Sequence, residues 1–177
     1  MNIENGIANY NYIENPGLKT RIMKIMVAYD NYADGRDANG SSVFQRIEFI
    51  KASLNIIKEN ILFGVGTGDI ANAFANYYEE TNSKLLPENR FRSHNQYLAI
   101  AVAFGVIGLI WFLFSMFYPI FADKKNRNYL YLIFILIMAL SMLTEDTLET
   151  QIGVTLFAFF NSFLVFTKNF DSDSLSR

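Results

Sequence analysis

The chain of 177 residues carries a net charge of −2, and 51% of its residues are hydrophobic, 16% aromatic and 18% charged. Nucleic-acid-binding proteins use an excess of basic residues to displace counterions, so this charge predicts no nucleic-acid partner. The absence of cysteine excludes disulfides, cysteine-based metal sites and a cysteine nucleophile. The charged fraction is too high for a chain that is embedded in a membrane throughout. Apolar and polar residues must therefore be segregated along the chain.

The first part of the chain, residues 1–96, is mixed and polar, with both charge signs interspersed. Its first 15 residues, Met1–Asn15, have Asn and Glu where a secretory signal would have its apolar core, so no signal peptide is predicted. Residues 34–40 have the composition of a loop.

A first helix is predicted over about residues 42–62. Ser42 and Gln45 have the spacing of a capping box, and apolar residues recur at steps of three and four. This apolar stripe comprises Val43, Ile47, Ile50, Leu54, Ile57 and Ile61. Gly64 is suited to the left-handed conformation of a C-terminal cap. A second helix is predicted over about residues 69–81.

Residues 97–167 contain three apolar runs, which predict transmembrane helices at about 97–121, 129–145 and 151–167. The first run exceeds the roughly 20 residues that a helix needs to cross a bilayer. The other two have only about 15 apolar residues each, so a pair of buried helices in a soluble domain is the alternative for them. The expected fold is an all-α membrane protein, in which a helical extracytoplasmic loop domain, residues 1–96, precedes three transmembrane helices.

The loops between the runs predict the orientation. Lys124, Lys125 and Arg127 lie between the first and second runs, whereas the turn at residues 144–151 contains three acids and no base. By the positive-inside rule, the basic loop and the C-terminal tail, residues 168–177, are cytoplasmic. Residues 1–96 are then periplasmic. Because this polar segment has no signal of its own, we expect further transmembrane helices to precede the chain.

Arg90, Arg92 and the only histidine, His94, lie directly before the first apolar run, at the expected membrane surface. In an extended strand their side chains would project to one side. Guanidinium groups form paired hydrogen bonds to phosphate oxygens, and a histidine can take a proton from a hydroxyl near neutral pH. The combination suits a lipid-anchored diphosphate whose attached group is attacked by a hydroxyl. The structural alternative is a histidine that only fills an interface. A single histidine cannot build a multi-histidine metal site, and no metal is predicted.

Two other features have both a functional and a structural interpretation. Arg46, at the edge of the apolar stripe, could bind a ligand or simply occupy a helix surface, and the sequence favours neither. The glycines of residues 64–69 could bind a diphosphate on free amides at a helix start, but their spacing is not a known nucleotide-binding pattern. Asp69 would also repel an anion, so a structural turn is the favoured interpretation.

The chain contains, in this order, Arg46 with its helix, then residues 63–69 (FGVGTGD), 93–98 (SHNQYL), 104–109 (FGVIGL) and 143–146 (LTED). The order and approximate spacing of these segments resemble the O-antigen ligase/polymerase family, over residues 41–166. The resemblance implies a polytopic glycosyltransferase of the bacterial inner membrane. Such an enzyme moves a glycan from a polyprenyl diphosphate carrier to an acceptor hydroxyl at the outer face, and needs no metal, nucleotide sugar or other cofactor.

The resemblance implies that His94 assists activation of the acceptor hydroxyl and that Arg46 binds the donor diphosphate, with Arg90 or Arg92 sharing that role. The implied partners are a polyprenyl-diphosphate-linked glycan donor, a glycan or lipid A core acceptor, and membrane lipids. The sugar stays open, as does the choice among lipopolysaccharide, another polysaccharide and a protein as acceptor.

Family members have many helices before this loop, so the chain is expected to correspond to their C-terminal part. The alternative from a different class is a non-catalytic membrane subunit, or an inactive remnant, that retains the loop for assembly or lipid binding.

Overall fold

The computed structural model describes residues 18–33, 39, 41–122 and 129–174. Within these residues the regular secondary structure is entirely helical, as predicted for an all-α protein. The helices are α1 (Leu18–Ala33), α2 (Ser42–Glu59), α3 (Ile70–Glu80), α4 (Gln96–Ala122), α5 (Tyr129–Thr144) and α6 (Gln151–Ser174), with 3-10 turns at Pro87–Asn89 and Thr147–Glu149. The expectations for the polar N-terminus, for most of the 34–40 loop and for the basic loop at 124–127 concern residues outside the described part.

Helix α2 begins where predicted but ends at Glu59, so Gly64 does not cap it. The capping-box prediction is wrong, because Ser41 is the N-cap residue and no side chain caps the first turn. The Gln45 side chain instead donates to the backbone carbonyl of Asn39 at 2.9 Å. The chain turns early because the residues after α2 make close backbone contacts with α4. The second predicted helix corresponds to α3.

The structure buries a different face of α2 from the predicted stripe. The buried side chains are Phe44, Phe49, Ala52, Ser53 and Ile56. Four members of the predicted stripe are exposed, namely Val43, Ile50, Leu54 and Ile61. Both faces carry apolar residues, so periodicity could not choose between them. The aromatic face forms the main core with α3, Leu85 and Val102, which fixes α2 against α4.

Helix α4 contains the first apolar run, and Gln96–Phe121 is the only helix in the described residues that is long and apolar enough to cross a membrane. It is interrupted at Gly105, where φ is 67° and ψ is −168°, a conformation that is essentially restricted to glycine. The ring centroids of Tyr97 and Phe112 are 6.2 Å apart, whereas a straight helix would separate these positions by about 22 Å. The chain therefore bends sharply at Gly105, and the expected uninterrupted helix over 97–121 is not formed.

The bend divides α4 into residues 96–104 and residues 106–122. The second segment packs against α5 around Met116, Met138 and Met142, and α5 packs against α6. In the first segment, the Tyr97 hydroxyl donates to the carbonyl of Ala139 in α5 at 2.9 Å. The first segment therefore contacts the end of α5 that leads into the acidic turn. Helix α6 continues to Ser174, beyond the predicted end at residue 167.

The loop between α2 and α3 packs on the bend. Three backbone hydrogen bonds join them: the N–H of Val65 to the carbonyl of Val102 (2.8 Å), that of Gly66 to Ala103 (2.9 Å) and that of Val106 to Ile61 (2.8 Å). In an unbroken helix the backbone N–H and carbonyl groups of α4 would form hydrogen bonds with one another. The loop therefore provides partners for the backbone groups that the break leaves without them. A Cβ atom on Gly64 would lie 2.5 Å from the backbone of Ala103. Residues 64–69 therefore contain a structural turn, the interpretation favoured from the sequence.

Candidate functional site

Three elements bring the predicted site residues together. Arg46 lies near the start of α2, Arg92 and His94 lie in the loop directly before α4, and an acidic turn of residues 145–149 joins α5 to α6. The packing of α2 against α4, and of α4 against α5, carries these three elements to one end of the helices.

The loop before α4 is tied to the acidic turn by two polar side chains. The Asn95 side chain accepts a hydrogen bond from the first turn of α4 at 3.0 Å, which caps the helix, and donates to the carbonyl of Leu143 at 2.9 Å. The Gln96 side chain, buried in the structure, accepts from the N–H of Leu148 at 2.7 Å. These bonds fix the position of His94, which directly precedes them, beside the end of α5.

Glu145 is the common partner of Arg46 and His94. The Arg46 Nη2 atom donates to Glu145 Oε1 at 3.0 Å, and its Nη1 atom donates to the carbonyl of Thr144 at 3.2 Å. The second carboxylate oxygen, Oε2, lies 3.8 Å from His94 Nδ1. The side chains of Arg46, His94 and Glu145 are 44%, 42% and 58% exposed. The three groups are therefore accessible to a ligand from solvent.

The two arginines of the loop have different partners. Arg92 Nη2 lies 3.0 Å from Glu149 Oε2, so this guanidinium also faces the acidic turn. Arg90 donates to two backbone carbonyls, those of residues 83 and 85, at 3.3 and 3.0 Å. Arg90, Arg92 and His94 were expected to project to one side. Arg92 and His94 do so, whereas Arg90 is directed to the backbone of the loop that precedes it.

A small cavity adjoins this cluster. Its lining includes Arg92, Ser93, Asp146 and Glu149, and its volume is about 10 Å³, roughly what one water molecule requires. Ser93 Oγ and Asp146 Oδ1 are buried and have no hydrogen-bond partner within the described part of the chain. Burial raises the pKa of the Asp146 carboxyl above its ordinary value, and the nearby Glu149 carboxylate raises it further, against the opposing effect of the Asn95 N–H, His94 and Arg92.

The arrangement places two guanidinium groups and one imidazole around one acidic turn. The two guanidinium groups can donate charge-assisted hydrogen bonds to anionic groups such as phosphates, and the imidazole can accept a proton. In residues 18–33, 39, 41–122 and 129–174, no group of three or more His, Cys, Asp or Glu side chains could hold a metal ion.

Glu145 and Glu149 were not predicted to be partners of the site residues. In the sequence, the acids of this turn indicated only the orientation of the chain. The presence of residues 143–146 among the segments that carry the family resemblance was the one available signal that the turn belongs to the site.

In the described residues, the fold and site define an all-helical protein, with one long apolar helix that bends at Gly105 and a cationic cluster directly before that helix. The family model described as O-antigen ligase matches residues 6–113, which include Arg46, Arg90, Arg92 and His94 but not the acidic turn. The match covers more than half of the chain, which therefore belongs to the O-antigen ligase family. No curated protein and no solved structure matches it.

Membership places the chain, at the level of the family, among membrane-associated glycosyltransferases of O-antigen and polysaccharide biosynthesis that act on lipid-linked glycans.

Proposed function

We propose that the chain carries the site of a metal-independent membrane glycosyltransferase, which moves a glycan from a polyprenyl diphosphate carrier to an acceptor hydroxyl. The acceptor would be a growing surface polysaccharide or a lipid A core. The observation that carries this proposal is the convergence of Arg46, Arg92 and His94 on one acidic turn, in a chain of the O-antigen ligase family. Arg46 and Glu145 are 99 residues apart in sequence, so local sequence alone does not account for their contact.

In this reaction the acceptor oxygen attacks the anomeric carbon of the donor glycan. A new carbon–oxygen bond forms, the bond between that carbon and the diphosphate oxygen breaks, and the hydroxyl proton passes to His94. Negative charge develops on the leaving diphosphate, and the guanidinium groups of Arg46 and Arg92 stabilise it through charge-assisted hydrogen bonds. Both arginines are paired with carboxylates in the structure, so the diphosphate would replace Glu145 and Glu149 as their partner.

Of the two loop arginines, Arg92 is the better candidate for contact with the diphosphate. Its side chain is 49% exposed and its carboxylate partner is also partly exposed. A surface ion pair of this kind contributes little stability, so exchange for a diphosphate is feasible. Arg90 already donates to two backbone carbonyls and would leave both unsatisfied if it turned to a ligand.

We also propose three membrane spans, formed by residues 106–122, α5 and Gln151–Phe166. The bend at Gly105 supports this choice, because it leaves segments of similar length, 17, 16 and 16 residues. At 1.5 Å per residue each is about 24 to 26 Å long, which is short for a bilayer core of about 30 Å but within the range that local thinning accommodates. Residues 96–104 would then lie at the outer surface of the bacterial inner membrane, with the candidate site on the periplasmic side.

Replacing His94 in the native gene tests the reaction. His94→Ala should lower glycan transfer per folded protein by on the order of 100-fold or more, because the group that takes the proton is lost. Transfer is measured with membranes and a lipid-linked donor, and normalised to the amount of protein in the membrane. Glu80→Gln, an exposed change on α3, is the control. Full specific activity in His94→Ala would contradict the reaction, and an equal loss of abundance and activity would indicate a packing role. No transfer by the wild-type protein would favour a non-catalytic subunit.

The absence of cysteine allows a direct test of orientation. Single cysteines at Glu88 and Arg127 should react differently with a membrane-impermeant maleimide in intact spheroplasts. Glu88→Cys should be labelled from outside, and Arg127→Cys only after the membrane is opened, because basic loops stay in the cytoplasm. Labelling of both from the same side would contradict the three-span arrangement.

A further inference from the structure

We propose that Glu145 is a positioning residue of the candidate site, which orients the His94 ring and keeps its Nε2 atom free to accept a proton. The catalytic purpose of this positioning rests on the proposed function, whereas the contacts of Glu145 are independent of that function. Glu145 contacts both Arg46 and His94 through different oxygens of one carboxylate.

The backbone on both sides of the His94–Glu145 pair is fixed. The N–H of Glu145 donates to the carbonyl of Ser141 at 3.0 Å, which continues the hydrogen bonding of α5 by one residue. On the other side, the Asn95 side chain bonds to the carbonyl of Leu143 at 2.9 Å. The relative position of the two residues is therefore determined by hydrogen bonds to the backbone around them, and not by the contact between His94 and Glu145 alone.

The two oxygens of Glu145 have separate partners. Oε1 accepts from Arg46 at 3.0 Å, while Oε2 lies 3.8 Å from Nδ1 of His94, which is longer than a hydrogen bond. A diphosphate that takes Arg46 away from Oε1 releases the carboxylate to rotate, so that Oε2 can move to hydrogen-bond distance of the imidazole. The contact with His94 can therefore persist, and tighten, when the donor is bound.

The choice of nitrogen has a chemical consequence. A neutral imidazole carries one proton, and a hydrogen bond from one nitrogen determines which nitrogen carries it. With Nδ1–H directed at a carboxylate, the lone pair of Nε2 is available to an acceptor hydroxyl. Without Glu145 the ring could rotate, and the Nε2–H form would compete. The ring of Phe49, with its centroid 6.0 Å from that of His94, limits rotation only by packing.

The test uses the full chain in lipid nanodiscs with 15N-labelled histidine. Because the chain has one histidine, the ring-nitrogen signals belong to His94 without further assignment. At alkaline pH the wild-type protein should show predominantly the Nδ1–H form. Glu145→Ala should shift the signals towards the Nε2–H form. Glu145→Gln keeps an acceptor oxygen and should retain more of the Nδ1–H form than Glu145→Ala does.

Glu149→Ala is the matched control, because it removes an acid of the same turn that pairs with Arg92 instead. It should leave the His94 signals as in the wild type. An identical ratio of the two forms in the wild type and in Glu145→Ala would overturn the proposal. Comparable helix content by circular dichroism excludes unfolding as the cause of any difference.

Activity provides the second measurement. In membranes that transfer glycan, Glu145→Ala should lower turnover by on the order of 10- to 100-fold, because a misplaced base loses much of its effect. In a His94→Ala background it should cause no further loss. Unchanged turnover would overturn the positioning role. If the wild-type protein transfers no glycan, the proposed function fails, while the histidine signals still decide the role of Glu145.

Discussion

Replacing Gly105 with alanine should destabilise the junction between the α2–α3 loop and α4. Gly105 has φ 67° and ψ −168°, and a Cβ atom there would lie 2.3 Å from the backbone carbonyl oxygen of Leu62. Since the obstructing atom belongs to the backbone, a side-chain rotation cannot relieve the overlap. The loop and the helix must therefore move apart.

The size of the effect follows from two contributions. A side chain held in a glycine-only conformation costs about 1 to 3 kcal/mol. Separation of the loop from α4 also weakens the three backbone hydrogen bonds at this junction, each with a net contribution of about 0.5 to 1.5 kcal/mol. Together these predict a loss of about 3 kcal/mol or more, which is a large fraction of the stability of a typical domain.

Thermal unfolding of the purified protein in nanodiscs measures the change. Two glycines of the α2–α3 loop, which packs against Gly105, separate the contributions. Gly66→Ala meets no atom within 4 Å but retains a positive φ of 85°, so it should show only the conformational cost, whereas Gly68→Ala meets no atom and has no such φ. The expected order of stability is Gly68→Ala, then Gly66→Ala, then Gly105→Ala. Equal stability of Gly105→Ala and Gly68→Ala would refute the role of the junction.

Four further substitutions test the site. Arg46→Lys should impair transfer at normal protein level, because an ammonium group cannot form two parallel hydrogen bonds to phosphate; wild-type turnover would assign Arg46 to the helix surface. Arg92→Gln should lower transfer per folded protein, whereas Arg90→Gln should lower the amount of folded protein. Quantitative immunoblots and transfer assays measure the two effects, and the reverse pattern would contradict the assignment. Burial raises the pKa of Asp146, so the folded protein is more stable when this carboxyl is protonated. This contribution to stability is lost as the pH rises through the folded-state pKa. Asp146→Asn should therefore raise the melting temperature at neutral pH, and the gain should disappear below about pH 4; a gain independent of pH would contradict the assignment.

The local sequence indicated the helices after residue 41 and the residue types of the candidate site, but not α1. Helices α2 and α3 begin near the residues that the sequence indicated. The apolar residues of α2 recur at helical spacing, whereas α5 and the apolar part of α6 coincide with continuous apolar runs. Arg90, Arg92 and His94 could be singled out because guanidinium groups bind phosphate and a histidine can take a proton near neutral pH. Arg46 was singled out through the family resemblance.

Tertiary structure decided which surfaces meet. Four of the six residues of the predicted stripe of α2 are exposed, because its aromatic face, with Phe44 and Phe49, packs in the core with α3, Leu85 and Val102. The break at Gly105 depends on backbone groups of the α2–α3 loop, about 40 residues earlier in sequence, that replace the hydrogen bonds of α4. Glu145 joins Arg46 to His94 only because α2, the loop before α4 and the end of α5 pack together. Periodicity and residue type report on local conformation, whereas contacts between distant segments depend on how complete surfaces fit.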